Sequence, residues 1–486
     1  MNRVAIIKTV PEYPLPPFSP DTKYAEYNFE DISKTNYVYK SVRDLFCLLE
    51  LDKENIGSKE WNPLGSVITR NDTVLIKPNV VGSFHFNNGE LTSLITHASV
   101  VRPIIDYALI ALNGTGNIII ADSPERVADF NVILQKSGIS DLLSYYNKNG
   151  IHIEVRDLRR EKIKYGYGAI SQKKRLPGDI EGYQIIDLGK DSEFSSLSPN
   201  KLSRLYGADY NRRETLKHHN EFKHEYEVSN TLLKSDVVIS VPKLKTHRKA
   251  GVTLNLKGLV GCTGNKNFIP HRTLGDRSNG GDSYPYPAVT RRGNFIRKLD
   301  DLLKDYLLGF IENKYSAILY TLIKQGFVEI LHVPKNDLPY GGGAWDGNDT
   351  LWRSVVDITR IIHYADKNGC LCDKKQRKFF GIIDGIHAGD KNGPMEPMLR
   401  KEGVLIAGSD LLAADIASTI TMGFDYNRII YLKRLLNPHK YDLSINLGET
   451  KVISNHKKFE NILSLKREES LQFEEAEYWN LKIPFR

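Results

Sequence analysis

The chain has 486 residues, 41% hydrophobic and 26% charged, enough for a large core and two or three subdomains, and this balance excludes long disordered stretches. A net charge of +8 over this length fits an anionic substrate or simple solubility better than a dedicated nucleic-acid surface, and the 25 tyrosines are not interleaved with basic residues as a stacking platform requires. Four cysteines, of which only Cys370 and Cys372 lie close together, argue against a disulfide framework; C-L-C is not the spacing of a zinc knuckle or an iron–sulfur cluster, which leaves buried or incidental thiols in a reducing compartment.

Residues 3–8 are expected to form a short strand, 11–20 a proline-rich extended arm and 37–50 a helix. The apolar stretch after Met1 is too short for a signal segment and no later run approaches a membrane span, so a soluble, cytoplasmic protein without membrane insertion is expected. T-V-L-I-K-P-N gives a buried strand at 73–77 that Pro78 stops. Val100, Val101, Ile104, Ile105, Ala108, Leu109 and Leu112 then recur at helical spacing before Asn113-Gly114, a C-cap. N-I-I-I-A-D gives a second strand at 117–121, and Ser123-Pro124-Glu125 is expected to open a helix with Ser123 as N-cap.

The same strand–helix grammar returns at 236–241, 379–383 and 403–408, the last followed by a helix capped by Ser409 or Asp410. Continuous apolar strands alternating with amphipathic helices imply an α/β fold, a mainly parallel sheet with helices on both faces. Residues 157–225, charged and tyrosine-rich, read as an α+β excursion with short antiparallel strands. A small helical insertion follows, with Leu299, Leu302, Leu303, Tyr306 and Phe310 on one stripe. The chain thus divides into an N-terminal arm with helices (1–70), a first α/β half (71–289) carrying the excursion, a helical insertion (290–345) and a second half (346–486) that completes the sheet.

Open parallel sheets bind ligands beyond the carboxyl ends of their strands. Those ends carry Lys77 and Asn79, Asp122 and Ser123, Lys243, Lys245, Thr246 and His247, Asp384 and His387, and Ser409 with Asp410. Asp122, Ser123 and Asp410 are equally well read as helix caps. The segment K-L-K-T-H-R-K-A-G-V-T-L-N-L-K-G-L-V-G at 243–261 is the densest, with Asn255 and Lys257 in its second half; small residues beside several cations let ammonium and backbone N–H groups converge on a phosphate or carboxylate. Its bland alternative is a solvated basic loop, and the phosphate-loop spacing G-x-x-x-x-G-K-[ST] is absent.

His271 stands in a polar Gly/Pro loop as an acid–base candidate. A divalent metal held by His247, His271 and His387 with Asp384 or Asp122 stays open, although no short ligand spacing supports it. G-G-G-A-W-D-G-N-D-T-L-W-R at 341–353 offers Trp345, Asn348 and Asp349 to a sugar or base, or else Asp349 as an N-cap and Trp352 as core. Residues 384–395 read as a tight, exposed Gly/Pro loop.

Taken in order, V-L-I-K-P-N (74–79), the stretch Thr96 to Asp122, D-V-V-I-S-V-P-K-L-K-T-H (236–247), N-L-K-G-L-V-G (255–261), I-I-D-G-I (382–386) and Asp410 to Asp415 resemble the domain-of-unknown-function 362 family. Many relatives append a ferredoxin-like four-cysteine motif that this chain lacks, so no iron–sulfur cluster is expected. The arm and the G-G-G-A-W-D-G-N-D loop resemble a subgroup associated with surface-polysaccharide loci.

Two functions follow as expectations. One is an enzyme acting on an anionic small molecule (a phosphorylated or nucleotide-linked sugar, or a carboxylate), with the lysines holding the anion, His271 or His247 moving a proton and Asp122 or Asp384 orienting that group. The other is a non-catalytic binding or carrier protein for an anionic glycan precursor or metal cofactor. Nucleic-acid binding is the weakest reading; reaction class and oligomeric state are not legible.

Overall fold

The computed structural model describes residues 2–208, 212–309, 313–334, 337 and 342–483; Phe310 and Gly341 lie outside them. The chain opens with β1 (Arg3–Lys8), α1 (Tyr37–Leu48) and β2 (Thr73–Pro78). It continues through α2 (Ala98–Leu112), β3 (Asn117–Asp122), α3 (Phe130–Ser137), α4 (Ile139–Lys148) and β4 (Glu154–Asp157). The excursion contributes the hairpin β5 (Glu161–Gly166) and β6 (Ala169–Arg175), and an antiparallel pair Tyr183–Asp187 with Glu225–Ser229. The second sheet segment is β7 (Val237–Val241), β8 (Lys243–His247), β9 (Gly251–Thr253) and α5 (Asn255–Gly258). Then come α6 (Arg291–Leu303), α7 (Lys314–Ile330), α8 (Leu351–Tyr364), β10 (Lys378–Asn392), β11 (Glu396–Gly408), α9 (Leu411–Met422) and β12 (Lys451–Ser454).

Ten strands form the main sheet, in the order β12-β1-β11-β10-β7-β2-β3-β4, with β8 beside β10 and β9 beside β8. Along that path β11 alone runs against its neighbours, as the register Ile382↔Ala407 and Ala5↔Ala407 shows. The short strand expected at 3–8 is thus β1, an inner member of the sheet. Side chains alternate across the sheet: Val74 and Ile76 enter one apolar core with α1 and α2, while Leu75 enters the other with α8 and α9. Burial on both faces explains the unbroken Val/Ile runs.

Three expectations are corrected. The run after β3 does not start a helix at Ser123; α3 begins at Phe130, with Asp129 as its N-cap. The backbone of 123–128 is satisfied elsewhere: the Glu125 N–H donates to the Val81 carbonyl (2.8 Å), and Arg159 Nη1 donates to the carbonyls of Glu125 (2.9 Å) and Ala128 (2.8 Å). Residues 384–392 are not an exposed loop but the continuation of β10, buried through Asp390. Because β11 returns antiparallel, Ser409 and Asp410 lie at the opposite end of the sheet from Lys77, where Asp410 Oδ1 accepts the Ala413 N–H (2.9 Å) as the cap of α9.

In the helical insertion, Leu303 is buried with Ala169 and Ala317, whereas Leu302 and Tyr306 of the expected stripe are exposed. Cys370 is exposed, so that pair of thiols is not buried. No described helix is long and apolar enough to cross a membrane.

Candidate functional site

Proline ends both β2 and β7, since it brings no N–H to the ladder. After Pro242 the chain turns directly into β8, which places Lys243 opposite Asp384 of β10. From there the strand ends sort the polar residues into two groups.

The first group is closed. Lys243 is fully buried; its Nζ donates to Asp384 Oδ2 (2.6 Å), Tyr13 Oη (2.9 Å) and the His387 carbonyl (3.2 Å). The Tyr13 hydroxyl donates to Asp384 Oδ1 (2.8 Å), the His97 N–H donates to Asp384 Oδ2 (3.0 Å), and the Tyr13 and His97 rings stack at 3.9 Å. His387 Nδ1 pairs with Thr92 Oγ1 (2.9 Å). Every donor of the ammonium is used. Lys245 is likewise fully buried, and its Nζ donates to the Leu94 carbonyl at 2.5 Å. Burial, with the nearby Lys243 and Lys257, holds Lys245 well below the usual lysine range. Tyr13, invisible as a site residue in the sequence, thus ties the arm to the sheet.

The second group borders an open cleft. Lys77 Nζ pairs with Asp122 Oδ1 (2.7 Å), and Asp122 also accepts the N–H groups of Val80 (2.9 Å) and Ser123 (2.8 Å). Gly261 lies directly over this pair, and a Cβ there would overlap the Asp122 carboxylate. Beside it opens a cleft of about 430 Å³. Its walls include His247, Lys249, Lys257, His271 and Arg272 from the basic segment and the loop after it. Glu125 and Arg126 enter from the turn after β3, Lys304 from the end of α6, and Tyr206, Tyr165 and Phe86 complete the rim.

The charges do not cancel. Arg126 pairs with Glu161 (2.5 Å), Lys304 with Asp300 (2.5 Å), and Arg248 with Glu396. Lys249 and Lys257 make no ion pair or side-chain hydrogen bond among the described residues. Burial pulls both ammonium groups down to about 8, with Arg272 adding to the effect on Lys249 and Lys266 to that on Lys257, while Glu125 opposes it. Lys266, whose Nζ donates to the Ser123 carbonyl (3.1 Å), is pulled to about 8 by burial.

The two histidines have opposite tautomers. The N–H groups of Lys249 (3.1 Å) and Ala250 (3.2 Å) donate to His247 Nδ1, so its proton sits on Nε2. His271 Nδ1 donates to the Ile269 carbonyl (2.6 Å), leaving a lone pair on Nε2. Burial first, then the neighbouring lysines, hold both rings neutral at pH 7. One ring therefore offers a donor and the other an acceptor.

Of the expected site residues, His247, Lys257 and His271 meet in this cleft, while Lys77 and Asp122 are buried and do not line it. Thr246 Oγ1 donates to the Lys391 carbonyl (2.7 Å), and the Asn79 N–H donates to the Val241 carbonyl (3.2 Å). Asn255, expected to bind the anion, is taken: Asp415 accepts the N–H groups of Asn255 and Leu256 and the Asn255 side-chain amide, each at 2.9 Å. Trp345 Nε1 donates to the Asp282 carbonyl (2.7 Å), and Asp349 pairs with Lys201 (2.9 Å) and Arg353 (3.0 Å). Asn348, not Asp349, bonds the first turn of α8, and its Nδ2 donates to the His271 carbonyl (3.0 Å), so it positions that histidine.

The residues weighed for a metal do not gather. His387 and Asp384 belong to the closed group, away from His271, and among the described residues no three His, Cys, Asp or Glu side chains are grouped to hold an ion. Glu125, Lys249, Arg272, Lys304 and Tyr206 are among the cleft residues that were not singled out as site residues.

The profile of a family described as "Domain of unknown function (DUF362)" matches residues 74–186 and 187–419. No curated protein matches the chain. Among solved structures, a crystal structure of a protein from Thermotoga maritima, a Northeast Structural Genomics Consortium target, is 11% identical over 79% of this chain, with a TM-score of 0.30. The aligned region spans 57% of that protein.

Proposed function

The chain belongs to the domain-of-unknown-function 362 family, and from that premise we propose that it is an enzyme whose cleft binds an anionic small molecule, a phosphorylated or nucleotide-linked sugar or a carboxylate. Surface-polysaccharide metabolism is the setting in which we place such a substrate. One observation carries the reading: Lys249 and Lys257 face the cleft without a carboxylate partner, at an energetic cost that an anion would relieve. Arg272, stacked on the Tyr206 ring (4.2 Å), adds a planar cation, and the aromatic rim suits a sugar or base face. In this reading His271 Nε2 accepts a proton from the bound substrate while the His247 Nε2–H steadies the developing negative charge.

A second reading has its own support. Main-chain groups, not carboxylates, fix both histidine tautomers, and their lysine neighbours make them weak bases. That favours a non-catalytic binding or carrier protein for an anionic glycan precursor. One experiment separates the two. The protein is melted with inorganic pyrophosphate, sugar phosphates and nucleotide sugars, and each mixture is then analysed by mass spectrometry. Stabilisation by phosphorylated ligands is expected under both readings. Conversion that disappears in His271→Asn, with the thermal shift retained, is expected of the enzyme alone. Stabilisation without any conversion across the set leaves the carrier.

A further inference from the structure

The helical insertion is built with its apolar side outward. On α7 the inward residues are Ser316, Ala317, Tyr320 and Lys324; Tyr320 donates to Asp300 Oδ1 (2.6 Å) and Lys324 pairs with the same carboxylate (2.7 Å). The opposite face carries Tyr315, Leu319, Leu322 and Ile330, at spacing i, i+4, i+7, i+15, and they are 79%, 47%, 63% and 74% exposed. On α6 the outward stripe alternates cation and apolar group: Arg291, Phe295, Lys298, Leu302. Phe295 meets Phe327 of α7 at 5.8 Å, which joins the two helices into one surface. The exposed Tyr167 at the β5–β6 turn extends it, with its carbonyl accepting from Thr321 and its ring 5.9 Å from Lys314 Nζ.

A soluble protein rarely leaves so continuous an apolar stripe uncovered, and here cations border it. Arg291, Lys298 and Lys314 make no ion pair among the described residues, and Glu329 is the exposed acid on the outward side of α7. A second copy of the chain would have to accommodate these like charges across its interface. An anionic bilayer accommodates both features. Tyr, Leu and Ile side chains bury at the boundary between headgroups and acyl chains, while the flanking ammonium and guanidinium groups pair with lipid phosphates. We infer that the α6–α7 face docks on an anionic membrane surface, with α7 lying in the plane of the interface. This rests on the exposed face alone and not on the ligand assigned to the cleft.

The test is co-sedimentation of the full chain with vesicles of phosphatidylcholine alone or with about 30% phosphatidylglycerol. Preferential binding to the anionic vesicles is expected, weakened by salt. The double substitution Leu319→Glu/Leu322→Glu should reduce binding at least about tenfold, and Arg291→Glu/Lys298→Glu several-fold, with melting temperatures unchanged because the sites are exposed. Lys257→Met should bind vesicles as the unmodified chain does, which keeps failure of this inference separate from failure of the cleft reading. No vesicle binding, equal binding to both compositions, or binding that survives Leu319→Glu/Leu322→Glu would overturn it. A dimer that those substitutions dissociate, without vesicle binding, would assign the face to a second copy.

Discussion

Replacing Lys257 by Met is expected to weaken binding of pyrophosphate or a nucleotide sugar by roughly 10- to 100-fold while the ligand-free protein melts at the same temperature or higher. The affinity loss follows from removing one charge-assisted hydrogen bond, worth about 1.5–3 kcal/mol. The stability effect follows from the cost of holding an ammonium group in the cleft wall without a counter-charge. Its folded pKa of about 8 lies below the unfolded lysine value, so the folded state holds fewer protons between the two. The penalty is therefore full below pH 8 and is relieved as pH rises from there toward about 10.4. Met keeps the length and the packing of the stem without the charge. Lys249→Met should act in the same direction, and the double variant should lose more than either. Titration calorimetry and thermal melts of the same samples check both halves. A large drop in melting temperature with affinity intact would make Lys257 a structural residue.

Asp384→Ala should do the opposite: a loss of about 3–5 kcal/mol in folding stability, with the cleft still able to bind its anion once folded. The carboxylate is the centre of the closed group, and its removal leaves the Lys243 ammonium, which is 0% exposed, without a counter-charge. The Tyr13 hydroxyl and the His97 N–H lose their acceptor at the same time. Tyr13→Phe, which keeps the ring stacked on His97, should cost less, because Lys243 retains Asp384. Urea unfolding measures the effect. A variant within about 1 kcal/mol of the unmodified chain that no longer binds ligand would move Asp384 from the scaffold to the site. Lys245→Ala belongs with this group: it removes a buried side chain that donates to the Leu94 carbonyl, so stability and not affinity should fall.

The strands at 73–77, 117–121 and 236–241 were legible because burial on both faces demands unbroken β-branched runs and proline ends two of them. The direction of β11 was not, since hydrophobic pattern carries no arrow, and with it went the placement of Asp410. The strand through 384–392 was hidden by its glycines. Gly385 and Gly389 sit there because Val404 and Pro397 on β11 leave no room for a Cβ, a requirement that reads in sequence like a turn. In the cleft, His247, Lys257 and His271 were legible because one short segment and the loop after it carry them. Lys304 and Tyr206 were not, as they come from insertions whose folding back toward the sheet depends on tertiary contact. No sequence signal separated the open lysines from the closed ones. Lys243 is closed because the β8–β10 register sets Asp384 opposite it, whereas Lys257, on α5, is in no such register.

If unpaired lysines in the cleft await an anion, as proposed, the titration of Lys249 and Lys257 governs its binding. Calorimetric titration of pyrophosphate into the unmodified protein from pH 7 to pH 9.5 should give affinity that declines as pH passes about 8, where Lys249 and Lys257 lose their protons. In buffers of different ionisation enthalpy, proton uptake on binding should appear near pH 8 and be smaller at pH 7. Affinity that is flat across this range, with no proton uptake, would contradict the claim.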